Sequence, residues 1–87
     1  MKLREFSDLI DQSICVILQS NFRGRCYAYI KNTEIIDDGG LKSTYGDGKT
    51  PEEAMKALVG EIRGKRIAVN AGGSNKQEFV VPIDLEY

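Results

Sequence analysis

The chain has 87 residues, with 12 basic and 13 acidic side chains and a formal net charge of −1. This length predicts a single domain over residues 1–87 with a thin core, because folding at this size hides only about 60 to 65 % of the unfolded chain's surface. The near-zero charge argues against nucleic acid as a partner. Because no apolar run approaches the roughly 20 residues that span a bilayer and no signal peptide is evident, we expect a cytoplasmic protein with no membrane partner.

The cysteines and the lack of histidine limit the chemistry that the chain can carry. Cys15 and Cys26 are predicted to be free thiols, since a cytoplasmic protein rarely forms disulfides. Without histidine the chain lacks the usual base at neutral pH and the commonest metal ligand. We therefore predict neither a metal site nor a cofactor.

The first half of the chain predicts a helix and a β-hairpin. Apolar residues recur at helical spacing over residues 2–12. A continuous apolar run of strand length follows at residues 14–18, and turn-forming residues occupy positions 21–24. Residues 25–31 are predicted to return as the second strand of the hairpin.

A turn centred between Phe22 and Arg23 fixes the pairing expected for this hairpin. The predicted cross-strand pairs are Cys15 with Ile30, Ile17 with Ala28, and Gln19 with Cys26. Both cysteines then share one face without facing each other. The second face carries Val16, Leu18, Tyr27 and Tyr29. A face of this kind is typical of an interface or a ligand surface, unless carboxy-terminal strands and loops cover it or it is ordinary exposed apolar surface.

The middle of the chain combines an ambiguous segment with a clear strand. Residues 34–37 do not distinguish a strand from a loop, and residues 38–40 are predicted to form a turn. A third strand is expected at residues 41–45.

A capped helix is the clearest local prediction. Thr50 is suited to the N-cap, Pro51 to the first helical position, and Glu53 to the reciprocal position of a capping box. Gly64 is expected to end the helix in the left-handed conformation. The helix is therefore predicted to begin at Pro51.

The glycines before this helix have two interpretations. Gly46, Gly48 and Lys49 resemble a phosphate-binding turn at a helix N-terminus. However, their spacing is not that of a P-loop, and Glu52 and Glu53 already occupy the positive end of the helix dipole. We interpret the segment as mainly structural.

The last part of the chain predicts two further strands, at residues 66–70 and 77–81, joined by a glycine-rich tip. The order of elements is then helix, three strands, helix, two strands. It predicts an α+β fold in which an antiparallel sheet of about five strands has both helices packed on one face.

Basic and aromatic residues suggest a ligand site. Arginine forks suit phosphate oxygens, and aromatic rings stack on bases. The candidate ligand-binding residues are Phe22, Arg23, Arg25, Tyr27, Tyr45, Lys49 and Lys76. The alternative is that these basic residues are ordinary solvated surface charges.

Acid and base catalysis has no convincing residues in this sequence. The carboxylate pairs at residues 37–38 and 52–53 are adjacent in sequence, so their side chains point apart and do not share a proton. The serines and cysteines have no histidine to activate them. We predict that the protein is not an enzyme.

The whole-length pattern resembles small phage-encoded proteins of the Thoeris anti-defence class. The resemblance rests on residues 46–54, residues 62–71 and the last strand with Pro82. It implies an oligomer that binds cyclic ADP-ribose-type signals or cyclic oligonucleotides without cleaving them, and so silences immune signalling, including signalling of the CBASS type. Lys76 and Gln77 stand where an arginine is expected in such proteins.

Residues 14–62 are also similar to HicB-type antitoxins, which have a fold like that of double-stranded-RNA-binding domains. The residues after 62 are too few and too strand-like for the DNA-binding segment that such antitoxins append.

Two functions follow as expectations. The first is a cyclic nucleotide sponge in an infected bacterium, assembled as a homo-oligomer through the second sheet face. The second is a small protein-binding inhibitor or antitoxin that uses a strand edge or the apolar sheet face. A generic RNA-binding domain is disfavoured by the net charge and the acidic start of the second helix.

Overall fold

A computed structural model describes residues 1–19, 25–37 and 40–87 of the chain. The turn predicted at residues 21–24 and the first two residues of the turn predicted at 38–40 lie outside this part, whereas Gly40 is the first residue of a strand. The elements are α1 (Leu3–Leu9), β1 (Ile14–Gln19), β2 (Arg25–Ile30), β3 (Thr33–Asp37), β4 (Gly40–Ser43), β5 (Gly46–Gly48), α2 (Pro51–Ile62), β6 (Arg66–Val69) and β7 (Gln77–Val80). No helix in these ranges is long and apolar enough to cross a membrane.

The fold is α+β, as predicted, but its described strands form two antiparallel sheets rather than one. The three-stranded sheet has the order β1-β2-β5, and the four-stranded sheet has the order β4-β3-β6-β7. The prediction of about five strands in one sheet was wrong for two local reasons. Residues 33–37 form a strand, β3. The strand expected at 41–45 ends at Ser43 as β4, which pairs with β3, and residues 46–48 form an additional short strand, β5, which pairs with β2 in the other sheet.

The hairpin of β1 and β2 is shifted by one residue from the predicted pairing. Cys15 lies opposite Tyr29 and Ile17 opposite Tyr27, whereas Val16 lies opposite Ala28. A one-residue shift moves all side chains of a strand to the other face of the sheet. Val16 was expected on the same face as Tyr27 and Tyr29, but it lies on the opposite face. Cys15 takes its place beside the tyrosines.

The two faces of the three-stranded sheet are therefore distinct. The inner face, toward α2, carries Ile14, Val16, Leu18, Cys26, Ala28, Ile30, Gly46 and Gly48. The outer face carries Cys15, Ile17, Arg25, Tyr27, Tyr29 and Asp47. The expected sharing of one face by the two cysteines was wrong, but both are free, as predicted.

The first helix is shorter than the predicted residues 2–12. Asp11 adopts a left-handed conformation with φ 56°, which stops the helix. The Gln12 N–H donates to the Ser7 carbonyl at 3.0 Å, and the Asp11 N–H donates to the Asp8 carbonyl at 3.1 Å. This is a Schellman ending in which an aspartate replaces the usual glycine.

The second helix begins at Pro51, as predicted. The Thr50 hydroxyl accepts from the Glu53 N–H at 3.1 Å and lies 3.3 Å from the Glu53 carboxylate, to which it donates. Gly64 follows the helix at φ 73°, which confirms its left-handed role. The core joins this helix to α1 and both sheets, and its largest fully buried side chains include Phe6, Leu3, Ile30, Leu58, Ile62, Ile67 and Leu85.

Glycine at positions 46 and 48 is required by close packing of β5 under α2. A Cβ at Gly46 would lie 2.1 Å from the Leu58 nitrogen and 2.7 Å from the Ala54 carbonyl oxygen. A Cβ at Gly48 would lie 2.5 Å from the Glu53 Cβ. Because real Cβ atoms do not approach other heavy atoms this closely, these glycines allow the strand to contact the helix directly. Their position supports the structural interpretation of the segment.

Two buried threonines join the sheets where the chain passes between them. The Thr33 and Thr44 hydroxyl oxygens are 2.8 Å apart, and the Thr33 hydroxyl donates to the Ile30 carbonyl at 2.7 Å. The Thr44 hydroxyl accepts from the Ile30 N–H at 3.3 Å. These bonds satisfy polar groups at the end of β2 that no ladder pairs.

Candidate functional site

A cleft of about 880 Å³ lies where the two sheets meet, and we call it the tyrosine cleft. One part of its lining comes from Tyr27 and Tyr29 of β2 and from Tyr45, which precedes β5. Another part comes from residues 70–75, which connect β6 to β7. Thr33 and Thr44 also line the cleft, so the junction between the sheets holds its two sides together.

The tyrosines form an aromatic wall that solvent reaches. Tyr27 and Tyr29 are two residues apart on β2 and therefore point to the same face. Tyr45 packs against Tyr27 with ring centroids 5.8 Å apart and ring planes at 49°. Tyr45 is 50 % exposed. A planar ligand could contact the wall through the faces of the rings and through the tyrosine hydroxyl groups.

Tyr29 also interacts with the thiol opposite it on β1. The side-chain hydrogen bond and the charge interaction with Cys15 raise the pKa of Tyr29 above its ordinary value. The phenol therefore stays protonated to higher pH and keeps its hydrogen-bond donor.

The rest of the cleft lining is polar, with little charge. Glu34 is the one charged residue among the described lining residues. The uncharged polar side chains that line the cleft are Asn32, Thr33, Ser43, Thr44, Asn70, Ser74 and Asn75. Amides and hydroxyls of this kind both donate and accept hydrogen bonds, and a carboxylate accepts from hydroxyl or amino groups. Such a lining suits the edge of a base or a ribose.

The 70–75 connection is fastened to the turn between β2 and β3. Asn32 and Asn70 both adopt left-handed conformations, with φ 58° and 54°. The Asn70 N–H donates to the Asn32 carbonyl at 3.0 Å, and the Gly73 N–H donates to the Asn70 carbonyl at 2.9 Å. These bonds hold the connection in position beside the tyrosines.

The structure brings together only part of the predicted ligand set. Tyr27 and Tyr45 line the same cleft, as their assignment to one site requires. Arg25 lies two residues before Tyr27 on the outer face, where its guanidinium donates to the Asp47 carboxylate at 2.8 Å and 3.2 Å. It does not line the cleft but stands next to its tyrosine wall.

The two predicted lysines lie apart from the tyrosines. Lys49 is exposed between β5 and α2, and its carbonyl accepts from the Cys26 thiol at 3.8 Å. Lys76 is paired with Glu78 at 3.5 Å, at the start of β7. Neither lysine lines the tyrosine cleft. Phe22 and Arg23 lie outside the described residues.

The candidate ligand-binding residues chosen from the sequence did not include Tyr29, Glu34 or residues 70–75, which also line the cleft. Tyr29 was placed on the sheet face that was expected to be an interface or a ligand surface, but it was not named as a ligand-binding residue. Asn70 and Asn75, the first and last residues of the 70–75 segment, carried a usable signal, because asparagine tolerates the left-handed conformation that ends a strand sharply. Nothing in the sequence alone placed that segment against β2.

Comparisons with protein-family models, with curated proteins and with solved structures find no match to this chain.

Proposed function

We propose that this protein is a non-catalytic binding protein that sequesters a cyclic nucleotide immune signal, of cyclic ADP-ribose type or a cyclic oligonucleotide, for a phage in the cytoplasm of its bacterial host. The observation that carries the nucleotide part is the exposed tyrosine wall of an 880 Å³ cleft. The anti-defence part rests on the resemblance of the sequence pattern to the Thoeris anti-defence class.

The cleft chemistry matches the neutral parts of a nucleotide. A base stacks on Tyr45 or Tyr27, because every base has a π-face and aromatic stacking tolerates different bases. The asparagine and serine side chains of the lining offer partners for the base edge. Glu34 is suited to accept from ribose hydroxyls, as acidic residues do in other nucleotide sites.

Phosphate binding is assigned to Arg25. Its guanidinium lies on the same sheet face as Tyr27. Among the described basic residues that were predicted to bind the ligand, Arg25 is the one on β2, two residues before Tyr27. Asp47 holds this guanidinium in place, and half of each side chain remains accessible to solvent. A phosphate that replaced Asp47 would form charge-assisted bonds of the same kind.

The groups available in the cleft support sequestration without cleavage. The described part of the cleft offers one carboxylate and several phenols, amides and hydroxyls, with no histidine anywhere in the chain. Such groups bind and orient a ligand but provide no paired acid and base for hydrolysis of a phosphodiester. In this proposal the ligand occupies the outer face of the three-stranded sheet. Contacts between subunits would therefore form on another surface.

The proposal is tested by retention and release. The purified protein is incubated with a panel of cyclic ADP-ribose isomers and cyclic di- and trinucleotides, passed through a desalting column, and denatured with heat. We expect at least one member to be carried through and recovered intact by mass spectrometry. Recovery of none, or recovery of a hydrolysed product, would contradict the proposal.

The protein provides its own optical probe for the same test. It contains four tyrosines and no tryptophan, and three of the tyrosines line the cleft. Stacking of a ligand should therefore quench most of the intrinsic fluorescence. We expect Tyr45→Ala to weaken binding roughly 5-fold to 100-fold. Tyr87→Ala is the matched control, because Tyr87 is exposed beside Lys56, away from the cleft lining.

A further inference from the structure

The outward edge of β1 differs from the other sheet edges of the described structure. β1 ends the three-stranded sheet, and no described strand pairs with it on the side opposite β2. The other three terminal strands each carry a charge, Asp47 in β5, Lys42 in β4 and Glu78 in β7. In contrast, the sequence contains no charged residue over positions 12–22. Charged residues on edge strands normally prevent pairing with another strand, and β1 lacks this protection.

The hydrogen-bond pattern shows which backbone groups of β1 point outward. The Lys31 N–H donates to the Ser13 carbonyl at 2.8 Å, so residues 13 and 31 form a hydrogen-bonded pair. Such pairs alternate along an antiparallel ladder. Cys15 and Ile17 therefore bond toward β2, and the N–H and C=O groups of Ile14, Val16 and Leu18 point to the open edge. This edge carries a regular row of unpaired donors and acceptors.

The side chains along this edge are apolar and partly uncovered. Leu18 is 73 % exposed although it lies on the inner face, and Val16 is 38 % exposed. The helix that covers this face contacts β5 and β2 much more than β1. An additional strand beside β1 would cover both side chains.

We infer that β1 pairs with β1 of a second copy of this chain, in antiparallel orientation, to join two three-stranded sheets into one sheet of six strands. A two-fold axis at Val16 pairs Val16 with its own counterpart and Ile14 with Leu18 of the other copy. Because these are the residues with outward backbone groups, about six hydrogen bonds form across the axis. Identical uncharged strands meet without like-charge repulsion. Leu18 is then covered by the partner subunit's Ile14.

This inference goes beyond the proposed function and does not depend on it. The outer faces of the two copies would lie side by side on the joined sheet, and both tyrosine clefts would remain open. The contact is small, so we expect a dissociation constant on the order of micromolar for an interface below about 1,200 Å².

The test compares two exposed apolar residues on edge strands of different sheets. Leu18 on β1 and Val80 on β7 are 73 % and 69 % exposed, so lysine at either position leaves the protomer folded. Sedimentation at about 100 µM, well above a micromolar dissociation constant, should show wild type and Val80→Lys at twice the 9.7 kDa protomer mass. Leu18→Lys should sediment as a monomer with an unchanged circular dichroism spectrum.

Three results would overturn the inference: a monomeric wild-type protein, a dimeric Leu18→Lys variant, or dissociation by Val80→Lys to the same extent.

A disulfide tests the register directly. In the inferred pairing residue 15 of one copy faces residue 17 of the other as a non-hydrogen-bonded pair, with Cα atoms about 4.5 Å apart, which a disulfide can bridge. Ile17→Cys should therefore form a covalent dimer under mild oxidation, linked from Cys15 to position 17 of the partner. Val80→Cys, which keeps both native cysteines, should not. Equal cross-linking of the two variants would refute the register.

Discussion

On the face of the three-stranded sheet that α2 covers, β5 contributes Gly46 and Gly48, whose lack of side chains lets the helix contact the strand. The opposite face of the same strands carries Arg25, Tyr27 and Tyr29, with half-buried rings and an exposed ion pair. The inner face is determined by packing, where one added carbon causes a clash. The outer face has room for large polar side chains, which the core does not require. This difference is the reason that we propose the outer face as the binding surface.

Gly46→Ala should produce the largest change in stability, because Gly46 lies on the inner face, where β5 contacts α2. The new Cβ would lie 2.1 Å from the Leu58 nitrogen and 2.6 Å from its Cα, so strand and helix must separate. We expect the free energy of unfolding to fall by more than about 3 kcal/mol, measured by urea denaturation.

Gly60→Ala is its matched control. Gly60 is an exposed glycine within α2, and a Cβ there meets nothing within 4 Å. Alanine is the better helix former, so this variant should gain about 0.5 to 1 kcal/mol. A Gly46→Ala protein as stable as wild type would show that the packing of β5 under α2 is not as tight as described.

Thr44→Val tests the junction at which the chain leaves one sheet for the other. Valine has nearly the same shape but removes the acceptor for the Ile30 N–H and the partner of the Thr33 hydroxyl. Buried groups left without a partner cost about 1 to 3 kcal/mol, and we expect a loss of this size in thermal or urea unfolding. The exposed neighbour Ser43→Val should change stability by less than about 0.5 kcal/mol. Equal effects at the two positions would argue against a structural role for the threonine pair.

Substitutions in the ion pair of Arg25 and Asp47 test the outer face, where we expect ligand affinity to change with little change in the free energy of unfolding. Both side chains are about half exposed, so Asp47→Asn should cost only about 0.2 to 1 kcal/mol. The same change releases Arg25 and should strengthen binding of a phosphate-bearing ligand, whereas Arg25→Gln should weaken it. Calorimetric titration of the two variants distinguishes these directions. A shift in the same direction for both would contradict the assignment of phosphate to Arg25.

The smallest expected effect concerns the ionisation of Tyr29. Interaction with Cys15 raises its pKa in the folded protein above the value near 10 of an unfolded chain. The folded state therefore holds this proton more tightly. The stabilisation is complete below the unfolded pKa and is lost as the pH rises through the folded pKa.

In the absorbance of the phenolate band, Cys15→Ala should move the titration of Tyr29 to lower pH than in the wild-type protein. An unchanged curve would show that the thiol is not the cause.

The sequence predicted the local features of the fold better than the arrangement of its strands. The cap at Thr50, the start at Pro51 and the left-handed Gly64 follow from short-range chemistry, and the structure confirms them. The pairing of β1 with β2 was wrong by one residue, because a turn of unknown length fixes the register and a run of apolar residues fits either choice. The helix end at Asp11 was missed because an aspartate there gives a weaker signal than glycine.

The candidate site was only partly accessible to sequence reasoning, for a similar reason. Tyr27 and Tyr45 were selected by residue type, and the cleft does bring them together. Lys49 and Lys76 were selected by the same criterion, but their elements place them elsewhere. Tertiary packing decides which surface residues share a cleft, and the connection at residues 70–75 is held near the end of β2 by the hydrogen bond from the Asn70 N–H to the Asn32 carbonyl.

The alternation of the chain between the two sheets has a consequence for how the protein unfolds. In chain order, β3 and β4 of the four-stranded sheet lie between β2 and β5 of the three-stranded sheet. Likewise, β5 and α2 lie between β4 and β6 of the four-stranded sheet. Because neither sheet is a continuous segment of the chain and the two sheets share one hydrophobic core, we expect a single cooperative unfolding transition. A ligand held in the tyrosine cleft, where the sheets meet, would thus raise the melting temperature of the whole chain rather than of one half.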